Sequence, residues 1–335
     1  MTQPSSASTS FRAVFERLEH PLGLVERTLR DQLESMSALM GILGEHVLAS
    51  GGKRMRPVLL LLSSELVGYT GPRRIDVAAA IELLHTATLL HDDVVDMSDL
   101  RRGQPSANAV WGNRRAVLGG DFFLARACSL IVDVGDFDVL WVFSNAIRSL
   151  ADGELLQLER SFDLDITESQ YEAVIGAKSA ALLEASCECG AIVADVTRAE
   201  RRKVAEYGRE LGMAFQLRDD ALDYDPAISE LGKRPYDDLR EGKITLPLLL
   251  ALKRATSAER DAIGALLKRE DLETADESEF EPALSAVDRY HGIRDTVRRA
   301  EQRAAAAGAA IAAFPDNQAK RDLLLGAEFA AHRDR

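Results

Sequence analysis

Two stretches far apart in the chain repeat one acidic pattern: Leu90-His91-Asp92-Asp93-Val94-Val95-Asp96 and Leu217-Arg218-Asp219-Asp220-Ala221-Leu222-Asp223. Each follows a run that is apolar nearly all round. Before the first come Ala78, Ala79, Ala80, Ile81, Leu83, Leu84, Ala87, Leu89 and Leu90; before the second come Leu211, Met213, Ala214, Phe215 and Leu217. A helix of that kind belongs in a core rather than on a surface. In a helix the first and third aspartates of each word lie four residues apart, so their carboxylates stack on one face and repel. Acids presented by buried helices are costly unless paired or metal-bound. A solvated charged face is the other reading of such a cluster, but neither run supplies the polar surroundings it needs. The pattern suits a hard divalent cation, since Mg²⁺ is held by a few carboxylates together with substrate phosphates. Two such words suggest two acidic walls facing a polyphosphate, with Asp92, Asp93, Asp96, Asp219, Asp220 and Asp223 as candidate metal ligands.

The rest of the chain reads as helix. Thr167–Gln170, Thr197–Glu200 and Thr256–Glu259 each match a capping box at the start of a periodic segment. No alternating strand and no Asn-Gly hairpin stands out. Helices are expected over 11–48, 54–68, 74–98, 114–132, 137–161, 168–193, 198–224, 244–254, 257–269, 294–313 and 318–332. Breaks fall at Gly51-Gly52, Gly71-Pro72, Gly103 to Pro105, Gly112-Asn113 and Gly232 to Pro235. The acid-rich Arg269 to Glu281 reads as a solvated excursion. No shift in composition divides the chain. The expected architecture is all-α: one large helical bundle over 11–335 around a central cavity, preceded by a disordered tail, Met1 to Ser10.

Bulk properties exclude several classes. A net charge of −13 argues against sequence-independent nucleic-acid binding, which relies on basic surface. No apolar run reaches the roughly 18 residues that span a bilayer. The polar N-terminus does not read as a secretory signal. Cys128, Cys187 and Cys189 suggest buried thiols in a reducing compartment rather than a disulfide framework, and a cytoplasmic location is expected.

A metal-bound polyphosphate also needs cations facing the acids. Gly51-Gly52-Lys53-Arg54-Met55-Arg56-Pro57 packs three of them beside two glycines at a helix start, where backbone N–H groups add donors. Arg56 can grip phosphate bidentately and Lys53 acts as a point charge. Arg101 and Arg102 follow the first acidic word, while Lys178, Lys233 and Lys243 lie around the second. Any one of these, taken singly, also fits a surface cation. His85 sits two turns before Asp92 on the same helical face; it reads either as a satisfied core histidine or as a hydrogen-bonding group aimed at the phosphate region. His91 need not face inward.

These residues resemble the trans-isoprenyl (polyprenyl) diphosphate synthases. Gly51 to Pro57 is similar to the family's GGKRxRP motif, and His85 to Gly103 to its first aspartate-rich motif with trailing arginines. Gly119 to Phe122, Gly153 to Gln157, Gly212 to Asp223 and Glu241 to Pro247 resemble further blocks in the family's order. The match is dense over roughly 40–250. There are departures. Ser179 and Ser106 stand where Thr is usual, and Tyr236 replaces a usual Gly in the loop after Lys233, which bears on how that loop closes.

The resemblance implies condensation of isopentenyl diphosphate with an allylic diphosphate. It assigns the catalytic positions to Asp92, Asp96, Arg101, Lys178, Asp219 and Lys233, with three Mg²⁺ ions when diphosphate is bound. It places substrate on Gly52, Lys53, Arg56, His85, Arg101, Arg102, Lys178, Ser179, Gln216, Lys233 and Lys243. Phe215 is a wall residue. A homodimer and a transient membrane contact for product release are further implications. By the same resemblance, the fourth and fifth residues before the first aspartate set product length. Here they are Thr88 and Ala87, both small, with Leu84 a turn deeper, which points to a long product of about C40. A floor built instead by Phe122 or Phe123, or by a partner chain, stays open. So do a C15–C20 synthase, a class I terpene cyclase and a non-catalytic subunit of a heteromeric synthase. A cyclase's second metal motif normally mixes Asn, Ser or Thr with Glu, and a regulatory subunit typically loses acids; neither holds here.

Overall fold

The computed structural model describes residues 6–34, 38–49, 54–101, 103–225, 235–269 and 271–333. The N-terminal segment forms α1 (Ser6–Arg17), α2 (Glu19–Asp31) and α3 (Ala38–Ala49). This corrects two expectations: helix begins at Ser6, inside the expected tail, and the single helix over 11–48 is three. Pro21 explains the first break, because it lacks the N–H that would continue the α1 ladder and is tolerated only in a first helical turn.

α4 (Met55–Leu66) and α5 (Arg73–Val95) form the centre. Pro57 to Leu62 are all buried, as are most of the apolar residues before the first acidic word. A short antiparallel ribbon follows, β1 (Leu100–Arg101) with β2 (Gln104–Pro105), where no strand was expected, and then α6 (Ala107–Trp111). α7 (Asn113–Val134) lies along α5. Gly120 leaves room between them for the His91 ring, because a Cβ there would fall 2.2 Å from the His91 Nε2. His91 thus faces α7, its Nε2 3.2 Å from the Val117 carbonyl oxygen.

α8 (Phe137–Arg160) leads to α9 (Glu168–Ile175), a π-turn at Gly176–Ala180, α10 (Ala181–Ile192) and α11 (Arg198–Leu222). The expected helix over 168–193 is therefore interrupted at Lys178 and Ser179. The C-terminal half comprises α12 (Asp237–Arg240), α13 (Leu246–Leu252), α14 (Ser257–Leu267), α15 (Glu281–Arg289), α16 (Gly292–Ala310) and α17 (Gln318–His332). All three capping boxes form. The excursion at 269–281 is only partly solvated, since Leu272, Ala275 and Phe280 are buried and the Arg240 guanidinium lies over the Phe280 ring. Two apolar clusters fill the interior, one around α4, α5 and α10 and one around α13; α11 contributes Leu211 and Ala214 to the first, Met213 and Leu217 to the second. Cys187 and Cys189 are fully buried, whereas Cys128 is only half-buried.

Candidate active site

α5 ends in the first acidic word and delivers Asp92 and Asp96 to one face, Asp96 closing the helix with its N–H on the Asp92 carbonyl at 2.8 Å. Burial pushes the Asp92 carboxyl up to about 6; Lys178 and Arg101 pull it down, while Glu154 and Asp96 push it further up. Lys178 reaches this point because the π-turn widens the helix locally, a device frequent at functional sites. Its Nζ contacts Glu154 Oε1 at 2.6 Å. Gly153 makes the approach possible: a Cβ there would lie 2.8 Å from the Lys178 backbone nitrogen.

Asp93 points elsewhere. It is 3% exposed and accepts the Arg101 Nε at 2.7 Å. Neighbouring residues on a helix diverge by about 100°, so Asp93 fixes Arg101 rather than sharing the wall of Asp92 and Asp96. Lys243 stands across from that wall, its Nζ 3.9 Å from Asp96 Oδ1 and paired with Glu241. Asp238 also acts on Lys243, and Asp219 in turn acts on Asp238. A chain of charge therefore links the two acidic words.

The second word is more elaborately held. Asp220, buried, accepts the Tyr171 hydroxyl and the Gln216 Nε2, the latter at 2.7 Å; Gln216 Oε1 accepts the Ser179 hydroxyl at 2.7 Å. Asp223 accepts the N–H groups of Asp237 and Asp238 at 3.2 and 3.3 Å, which anchors the first turn of α12. Burial, with Asp238 beside them, holds Asp220 and Asp223 well above the ordinary carboxylate range. Asp219 pairs with Arg333, whose guanidinium lies 3.5 Å over the Phe215 ring and whose carbonyl accepts Arg218 Nε at 2.9 Å.

Asp92, Asp220 and Asp223 are thus under-compensated, which is the condition a divalent cation relieves. Among the described residues no three His, Cys, Asp or Glu side chains close on one point as a self-sufficient cage. An ion that completes its shell with substrate phosphates and water, as Mg²⁺ does, fits this donor set. The six aspartates divide accordingly: Asp92, Asp96 and Asp219 stand at the ends of the charge chain, while Asp93, Asp220 and Asp223 brace Arg101, Tyr171 with Gln216, and the first turn of α12.

Beside the first word, an open cleft is lined by His46, Arg54, Glu82, His85, Asp93 and Arg101. Arg56 is half-buried in the first turn of α4. Ala87 and Leu84 are buried on α5, and Thr88, half-buried, donates its hydroxyl to the His85 carbonyl at 2.8 Å. Gly52, Lys53, Arg102 and Lys233 lie outside the described residues. The sequence reading did not single out Glu154, Asp238, Tyr171 or Arg333. Glu154 and Asp238 sit within or beside motif blocks and were open to notice as acids; Tyr171 and Arg333 reach the site only through tertiary packing.

The polyprenyl synthetase family model matches residues 38–286. Octaprenyl diphosphate synthase of Escherichia coli is 42% identical over 311 residues, covering 93% of this chain and 95% of the relative. The all-trans-nonaprenyl-diphosphate synthase (geranyl-diphosphate specific) of Rhodobacter capsulatus is 38% identical, covering 90% and 91%. A crystal structure of polyprenyl synthase from Caulobacter crescentus, complexed with calcium and isoprenyl diphosphate, superposes with a TM-score of 0.91 at 39% identity over the full length of both chains. With two acidic walls, interposed cations and these matches together, the chain belongs to the polyprenyl synthetase family.

Proposed function

We propose that this prenyltransferase lengthens an allylic diphosphate by successive additions of isopentenyl diphosphate, in the trans configuration, to about C40. The observation that carries the proposal is the meeting of Asp92 and Asp96 with Lys178 and Lys243 on the side facing the second acidic word. The octaprenyl and nonaprenyl synthases among its relatives support a long product.

In this reading Gly52, Lys53, Arg56, His85 and Arg102 take the diphosphate of isopentenyl diphosphate. The allylic diphosphate lies between the acidic words. Asp92, Asp96 and Asp219, with Asp93, Asp220 and Asp223 behind them, would hold three Mg²⁺ ions, which would supply Lewis-acid charge at the diphosphate. Arg101, Lys178, Lys233 and Lys243 add fixed positive charge to the same group. Ser179 and Gln216 hold the π-turn against α11, and so fix where Lys178 points. Phe215 walls the reacting carbons from water, which would otherwise quench the allylic cation. The isopentenyl double bond attacks that cation, and the proton then lost passes to the released diphosphate. Ala87, Thr88 and Leu84 leave room along α5 for the growing chain.

The working unit is a homodimer. Phe137 and Trp141 on α8 are 86% and 67% exposed, and Leu118 and Val132 on α7 add to this apolar surface, a pattern that marks an interaction face. No described helix is long and apolar enough to cross a membrane. Incubating the purified chain with Mg²⁺, labelled isopentenyl diphosphate and each allylic primer tests the activity. Diphosphate release with products near C40 is expected; products that stop at C15 or C20, or a requirement for a second polypeptide, would contradict it.

A further inference from the structure

Arg54, two residues before Arg56 at the start of α4, is engaged by the protein on three sides. Its Nε donates to Glu26 Oε1 at 2.5 Å, its Nη1 to Glu82 Oε1 at 2.9 Å and its Nη2 to the Leu48 carbonyl at 3.3 Å. The side chain is 15% exposed and that of Glu82 only 4%. These partners belong to three different helices: Glu26 to α2, Leu48 to the end of α3, and Glu82 to α5, one turn before His85. Arg54 itself caps α4 in a left-handed conformation, φ 43° and ψ 36°. Non-glycine residues seldom adopt that geometry, and it persists where surrounding contacts over-determine it. A planar guanidinium can reach two carboxylates and a carbonyl in fixed directions, which an ammonium cannot do.

We propose that Arg54 is a positioning residue for the isopentenyl diphosphate site: without touching substrate, it sets the start of α4, with Arg56, against His85 on α5. Its single charge is more than offset by the two carboxylates of Glu26 and Glu82, so it adds no net attraction for phosphate. What it contributes is spacing. This rests on the reading above that isopentenyl diphosphate is gripped by Arg56 and His85.

The test compares R54Q, R54K and E26Q with wild type, varying each substrate in turn, with circular dichroism as the check on folding. Calorimetry with isopentenyl diphosphate alone adds a readout independent of turnover. The KM for isopentenyl diphosphate should rise on the order of 10-fold. The KM for the allylic diphosphate and kcat at saturation should stay within about twofold. Binding of isopentenyl diphosphate should weaken in step with its KM. Folded variants with an unmoved isopentenyl diphosphate KM, with both KM values rising together, or with only kcat reduced would overturn the proposal. If R54Q does not fold, R54K and E26Q, which keep a cation beside Glu82, decide; failure of all three to fold would make the role purely structural and overturn it too. R56Q tests the underlying reading separately, because an unchanged isopentenyl diphosphate KM in that variant would displace the site itself.

Discussion

Asp92, on the first acidic word, carries a direct electrostatic consequence for stability. Burial first, then Glu154 and Asp96, raise its folded value to about 6, above the ordinary 3.8. Folding therefore disfavours its ionised form. Below about pH 3 both states are protonated and there is almost no penalty. As pH rises towards 6 the unfolded chain gives up its proton first, and stability is lost, on the order of 3 kcal/mol once both states are ionised. In chelator-treated protein, Asp92→Asn should raise Tm at pH 7.5 and leave it nearly unchanged at pH 3. An equal gain at both values would show that the charge is not the cause. Tyr236 poses a different residue-scale question. It occupies the left-handed region at φ 63° where the family usually has glycine, yet its ring is buried near Tyr224 and Phe280. Tyr236→Gly would relieve roughly 1–2 kcal/mol of backbone strain but forfeit about 3–5 kcal/mol of aromatic burial. Net destabilisation by about 2 kcal/mol in denaturant unfolding is expected; a stabilised variant would mean that the ring adds little.

At the scale of elements, what the sequence reveals depends on how local the cause is. The capping boxes at Thr167, Thr197 and Thr256 are settled within four residues and were legible. The core runs before both acidic words were legible because burial on all sides leaves an apolar composition. The break before Pro21 was visible in principle, and the apolar periodicity across it hid it. The π-turn at Gly176–Ala180 left no pattern of its own, since it arises where α8 presses on it at Gly153. The bracing roles of Asp93 and Asp220 likewise depend on partners brought in by the fold. Product length belongs to this scale, because α5 carries both the first acidic word and the residues beneath it. Ala87→Tyr fills space one turn below Asp92, so the product set should shorten while the first condensation persists. An unchanged distribution by mass analysis would place the floor elsewhere, for example at Phe122 or at the fully buried Phe123.

For the whole molecule, α11 is the element that ties chemistry to architecture. It lies in both apolar clusters and ends in the second acidic word, so the distance between the two walls is set by the packing of the entire bundle. The surface of α7 and α8 extends this to assembly. Trp141→Glu should convert the proposed dimer to a species near 36.6 kDa in sedimentation, because a charge within an apolar contact face is left desolvated. Wild type that sediments as a monomer at micromolar concentration would remove the assembly from the account. The central claim is that both acidic words act on one diphosphate, and the most direct test compares Asp92→Ala and Asp219→Ala with wild type in Mg²⁺-dependent incorporation of labelled isopentenyl diphosphate. Each variant should retain the helical circular dichroism of wild type and lose turnover by orders of magnitude; near wild-type rates in either would contradict the two-wall mechanism.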